Sequence, residues 1–254
     1  MMHLAAYYQS LDPAGAYTAL NAVQDPAINT RGTDIRIASE IPFIFGAAGL
    51  SAAAVLTSAQ LRSPSLRTLN NMFIRPLNNA LTFANPTPVM TFPLNPRGMV
   101  TAEDVQFWVD STPGAGAEGH YGLVFMCDGV LQPVNGEIFS VGATAASTLV
   151  AGTWVNSPLT FDQALPSGTY QAVGLRAEGA NLVASRLVFP GGGSNSFRPG
   201  CPACTSAFVL EADNFRKGKL GVYGTFSQDT PPTLDSLGAT DTAQTITLDL
   251  IKTS

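Results

Sequence analysis

Charge is what this chain has least of. Only 12% of its 254 residues are Asp, Glu, Lys or Arg, against roughly a quarter in an ordinary soluble domain. Lysine stands only at Lys217, Lys219 and Lys252, and histidine only at His3 and His120. The arginines are scattered singly and the formal net charge is −5. No basic stripe or tail exists of the kind that neutralises phosphates, so strong direct nucleic-acid binding is not expected. Three cysteines, Cys127, Cys201 and Cys204, are too few for a disulfide framework. A soluble surface so poor in charge repels its neighbours weakly and favours association. The first expectation is therefore that copies of the chain cover much of one another.

What is present is apolar and rich in turn formers. Hydrophobic residues make up 45% of the chain, and 24 Gly and 18 Pro are spread along it. A sizeable core and many turns follow, in one large β domain or two small ones. The start, Met1 to Tyr8, lacks the basic and sustained apolar regions of a signal peptide. Residues 41–61 carry no charge and are long enough to span a bilayer. They are rich in Ala, Gly and Ser, however, and contain Pro42. Two buried strands around a Gly46-Ala47-Ala48-Gly49 turn fit better, with an Ala-rich helix over 50–61 as the alternative.

Residues 1–33 place Tyr7, Tyr8, Leu11, Tyr17 and Leu20 at loosely helical spacing, broken by Pro13 and Gly15 and ended by Asp25-Pro26. They read as a short helical or irregular arm. From Asp34 onward strand patterns dominate, at 53–61, 72–75, 87–93, 104–110, 119–127, 134–140, 147–156, 169–177, 181–189, 205–211, 219–226 and 243–251. Alternation is clearest in Val105–Asp110 and Thr245–Leu250. Turns fall between them, as at Asn95-Pro96-Arg97-Gly98, Thr112-Pro113-Gly114 and Pro166-Ser167-Gly168. The expected fold class is all-β, an antiparallel sandwich over 34–254. Long alternating helices and fixed-period repeats are missing, which argues against a parallel α/β sheet, a propeller and a solenoid.

No strong catalytic motif is legible. Cys201-Pro202-Ala203-Cys204 is the one candidate metal pair, but a zinc site needs two further ligands, and Cys127, His3 and His120 are distant in sequence. Free loop cysteines, or a local disulfide, are the plainer reading. Gly191-Gly192-Gly193-Ser194 lacks the Gly-Lys-Ser/Thr that would make it a phosphate loop. His120, near Asp110, Glu118 and Asp128, has no nucleophile context and reads as a strand-edge residue. Glu103, Asp104, Asp162, Glu178, Glu211 and Asp213 could include a glycosidase pair. Only Trp108 and Trp154 could supply a sugar platform. No catalytic residue, cofactor or enzyme activity is expected.

Residues 154–189 are the most patterned part. Trp154 to Phe161 leads into Leu165-Pro166-Ser167-Gly168-Thr169-Tyr170, then Val173-Gly174-Leu175-Arg176, then Leu182 to Pro190. With Phe197-Arg198-Pro199-Gly200 and Gly221 to Phe226, this unit resembles the jelly-roll coat (major capsid) proteins of tailless icosahedral viruses and phages. The resemblance implies a jelly-roll subunit, either a single roll with long loops at 190–204 and 227–242 or a compact double roll divided near 130. It further implies a homo-oligomer, with a trimeric capsomer in a larger shell, and contact with other virion proteins. The arm carries only Arg31 as a cation, which suits a shell with a membrane or a second protein between coat and genome. Assembly from soluble protein in the host cytoplasm into the virion is the expected localisation. The alternatives are a carbohydrate-binding or spike/fibre β-sandwich module and a β-sandwich glycoside hydrolase.

Overall fold

A computed structural model describes the chain except for residues 54, 68–71, 75–89, 113–115, 192, 194–195, 205–211 and 241–242. The fold is all-β, and its sheets are antiparallel and stacked as in a jelly-roll sandwich. The first sheet is ordered Arg97–Gly98, Phe43–Ser51, Glu118–Cys127, Met2–Leu11, Asn21–Ala22. The second is ordered Asn29–Arg31, Asp34–Arg36, Asp104–Ser111, Leu56–Arg62, Met72–Ile74. The third runs from Val155–Pro158 through Thr233–Gly238, Leu182–Val188, Gly200–Cys204, Thr169–Glu178 and Ala243–Lys252 to Phe139–Ala146 and Thr160–Phe161. Among the described strands the single parallel pairing joins Gly200–Cys204 to Thr169–Glu178.

The first sheet is the middle layer. Along its strands, side chains alternate between two cores. Ala5, Tyr7, Ile44, Ala47, Val124 and Met126 pack on the second sheet with Ile35, Leu61, Val105 and Phe107. Leu4, Ala6, Phe45, Ala48, Leu123 and Phe125 pack on the third sheet with Leu175, Leu187, Leu234 and Leu248. A strand covered on both faces has no polar face to show, so it reads as a continuous apolar run. Close stacking also demands small residues. A Cβ on Gly122 would lie 2.5 Å from Cγ of Phe107, and one on Gly49 would lie 3.1 Å from the Ala59 Cβ. The Tyr7 hydroxyl crosses between layers and donates to the Val105 carbonyl at 2.6 Å. In the third sheet, the Tyr170 hydroxyl closes the Leu-Pro-x-Gly-x-Tyr corner by donating to the Pro166 carbonyl.

The middle layer accounts for two corrections. Met2–Leu11 is not part of a helical arm. It is a ten-residue strand paired along its length with Glu118–Cys127. Burial on both faces removed the period of two, and chance tyrosine spacing suggested a helix. Gly46-Ala47-Ala48-Gly49 is not a turn either, because Phe43–Ser51 runs straight through it. Its small residues let three layers approach. The second expected strand there is present as Leu56–Arg62, with no Ala-rich helix.

Most other expected strands appear with shifted ends. Asp104–Ser111 alternates between half-buried and buried positions, and in Ala243–Lys252 Ile246, Leu248 and Leu250 face inward. The expected strand at 134–140 lies later, as Phe139–Ala146, and those at 147–156 and 219–226 are shorter and later, as Val155–Pro158 and Gly224–Ser227. The candidate at 205–211, residues 87–89 of the candidate at 87–93 and the Pro113-Gly114 turn lie outside the described residues, and the rest of 87–93 contains the short strand Met90–Thr91. Two expected loops contain strands: Gly200–Cys204 within 190–204 and Thr233–Gly238 within 227–242. Proline and polar residues hid both, but tertiary pairing supplies their hydrogen bonds. Among the described residues, no helix is long and apolar enough to cross a membrane.

Candidate functional site

The cysteine pair does not form a site. Cys201 and Cys204 are free, buried, and lie three apart on one strand, so they point to opposite faces. Cys201 belongs to the core, whereas the Cys204 sulfur accepts from Arg176 Nε at 3.2 Å. Burial raises both thiols above their ordinary range. Neither thiol is in a disulfide, and the alternation turns the two sulfurs to opposite faces of the strand. Among the described residues, no group of three His, Cys, Asp or Glu side chains is placed to hold a metal.

The other candidates are dispersed. His120 is no edge residue; it is fully buried in a strand paired on both sides, opposite Gln9 and Ser51, and burial lowers its pKa. Glu103 accepts from the Ser65 and Val100 amides at 2.7 and 3.2 Å and anchors the short helix Pro64–Arg67. Burial opposes its ionisation, but bonds from Ser63, Ser65 and Val100 outweigh this and lower its pKa. Asp104 pairs with Arg36, and Glu178 pairs with Arg176 at 2.6 Å. Asp162 and Asp213 are exposed, and Glu211 lies outside the described residues.

Ionisable groups do converge at the seam between the middle and third sheets. Arg186, completely buried on Leu182–Val188, donates through Nη1 to Asp25 and, at 2.9 Å, to the Leu4 carbonyl. Its Nε donates to Asp235 at 3.1 Å, and its guanidinium lies 4.0 Å over the Trp154 ring. Arg198 reaches the same Asp235 oxygen at 2.5 Å. The Arg198 amide donates to His3 Nδ1 at 3.0 Å, so Nδ1 is an acceptor and Nε2 carries the proton shared with Asp25 at 3.1 Å. His3 is therefore neutral, and burial lowers its pKa. Burial alone would raise the Asp25 carboxyl, but hydrogen bonds from His3 and Arg186 and the charge of Arg186 hold it well below the usual carboxylate range. All five side chains of the cluster are buried. Its chemistry is that of a clamp tying residues 3 and 25 to residues 186, 198 and 235.

A second clamp holds Asp249, also fully buried. Arg216 donates bidentately at 2.6 and 2.8 Å, the Lys217 amide at 2.7 Å and the Ser140 hydroxyl at 2.7 Å. Burial opposes ionisation, but these bonds keep the pKa lowered. Sequence reasoning missed both clamps. Arg186 carried a signal, since it is the one charge in the mostly apolar strand Leu182–Val188, and a cation there demands a partner.

An open cleft of about 470 Å³ lies on the outer face of the second sheet, with Arg62, Arg67, Asp34, Gln106 and Trp108 among its lining residues. The Arg62 guanidinium lies 4.0 Å over Trp108 and 5.4 Å from the Tyr17 ring. Its Nε and Nη2 donate to Gln60 Oε1 at 3.1 and 2.9 Å. Gln106 accepts from Trp108 Nε1 at 3.0 Å and donates to Asp34 at 2.7 Å.

No family model matches the chain, and no curated protein matches it. Among solved structures, it is similar to a Paenibacillus xanthan lyase at 10% identity and TM-score 0.27, over 100% of this chain and 25% of that one. It is also similar to the major capsid protein P2 of bacteriophage PM2, at 10% identity and TM-score 0.22, over 99% and 97%. The chain spans about a quarter of the lyase's length. Neither likeness is close enough to carry an argument.

Proposed function

We propose that the chain is a structural subunit that builds a shell from copies of itself, as a viral coat protein does, through a trimeric capsomer. The observation that carries this reading is where the charge sits. Six charged side chains, Asp25, Glu103, Arg186, Arg198, Asp235 and Asp249, are buried in a chain with only 13 basic and 18 acidic residues. What remains outside is sparser than composition suggests, so electrostatic repulsion between copies is weak. Exposed apolar side chains are available for such contacts. Leu94 and Val130 are 68% and 53% exposed, and the Pro93 carbonyl accepts from the Leu131 amide. Met1 adjoins them through the ion pair of its amino group with Asp128. Burying such residues between subunits contributes about 25 cal/mol per Å². The virion, other coat components and an internal membrane are the surroundings this reading supplies.

Analytical ultracentrifugation with negative-stain microscopy tests it. Trimers or closed shells are expected at milligram concentrations, and Leu94→Asp with Val130→Asp should reduce them to monomers of unchanged circular dichroism. A wild-type chain that stays monomeric at high concentration would sink the reading.

A further inference from the structure

The cleft on the second sheet does not depend on the shell reading, and we infer that it binds an acidic saccharide through the carboxylate of a sugar unit. Four arginines and two aspartates gather there. Arg31, Arg36, Asp34 and Asp104 line an adjoining pocket, and Asp34 and Asp104 are common to both spaces. Arg36 neutralises Asp104 by a bidentate pair at 2.9 and 3.0 Å. On a chain of net charge −5, this face is locally positive.

Arg62 is the organising residue. Stacking between Tyr17 and Trp108 and the grip of Gln60 hold its guanidinium in one plane. Its remaining nitrogen, Nη1, is left as a preset donor, and little rotamer entropy is lost when an anion arrives. Arg67, an exposed residue at the end of the short helix, adds a second cation to the same cleft.

Three features choose the ligand class. Two cations select an anion. The Trp108 face that a neutral sugar would stack on is occupied by Arg62, so charge rather than a bare platform supplies the attraction. A polyphosphate would use donors only and would meet the Asp34 carboxylate. A ligand with one carboxylate among many hydroxyls uses both, its anion on Arg62 and Arg67 and its hydroxyls donating to Asp34. Gln106 fixes Asp34 in place.

Titration calorimetry of the full chain with oligogalacturonate, its methyl ester, oligoalginate and sialyllactose tests this. At least one carboxylated saccharide should bind. Esterification should weaken galacturonate binding at least tenfold where the free acid binds. Arg62→Gln should lower affinity at least tenfold, and Arg62→Lys several-fold, because charge without the planar fork is not enough. Arg67→Gln, on an exposed side chain with no folding role, should cost several-fold. Arg97→Gln, an exposed arginine of the first sheet, should change nothing. Three results would each overturn the inference: no carboxylated saccharide bound, equal binding of the ester, or single-stranded DNA binding as tightly with Arg62→Gln indifferent.

Discussion

Replacing Arg186 with methionine removes the centre of the seam clamp while keeping most of its apolar volume. The substitution deletes bonds to Asp25, Asp235 and the Leu4 carbonyl, and the contact with Trp154. Breaking a buried ion pair from one side costs about 3–5 kcal/mol, because a charge is left without compensation. Both aspartates keep other partners here. Asp25 retains the His3 ring and the Ala27 amide, and Asp235 retains Arg198 and Asn156. The expected loss therefore lies at the low end, about 3 kcal/mol. At about 2–4 °C per kcal/mol for a chain of this size, Tm should fall by about 6–12 °C. Urea unfolding followed by far-UV circular dichroism and by tryptophan fluorescence measures it, since Trp154 lies against the substituted side chain. Asp25→Asn in the same chain removes one stranded charge, so the double variant should lose at least about 1 kcal/mol less than the two single losses combined. A single-variant loss below about 1 kcal/mol with the fold intact, or strict additivity, would refute the view that these charges compensate one another.

The same clamp sets a pH dependence. His3 has an ordinary value of 6.5 that folding lowers, so its contribution is complete above that value and is lost as pH falls through it. Asp25 adds a further loss below its ordinary 3.8. Stability should decline from pH 7 to pH 5. The lowered His120 acts in the same direction, so His3→Gln should flatten the decline without abolishing it, as thermal melts across that range will read. Gly122→Ala should cost about 1–3 kcal/mol through contact with Phe107, and Phe107→Leu should recover part of it in denaturant titrations. All three thiols are buried and raised, so Ellman's reagent should react only on unfolding, and cadmium should leave the Tm of the native chain unchanged.

Legibility followed solvent exposure. Asp104–Ser111 faces a core on one side and water on the other, and its period of two was plain in the sequence. Met2–Leu11 and Phe43–Ser51 face protein on both sides, and their order could not be read from alternation. The uncharged stretch at 41–61 has the same cause in part: a middle layer has no face on which to put a charge. Trp108 is one of two tryptophans that could serve a sugar platform, and only the structure shows Arg62 lying over it. Residues 201 and 204 looked like a pair because they are close in sequence, and the strand turns them apart.

The sequence by itself determined that the fold is all-β, because turn formers and short apolar runs act locally and each run reports its own period. It also determined that charge is scarce. Only the tertiary structure decided where that charge is used. His3, Asp25, Arg186, Arg198 and Asp235 come from five separate places in the chain and meet because the middle and third sheets stack. A buried ion pair is a long-range contact between strands, and a sequence pattern records the periodicity of a strand but not which strand lies beside it.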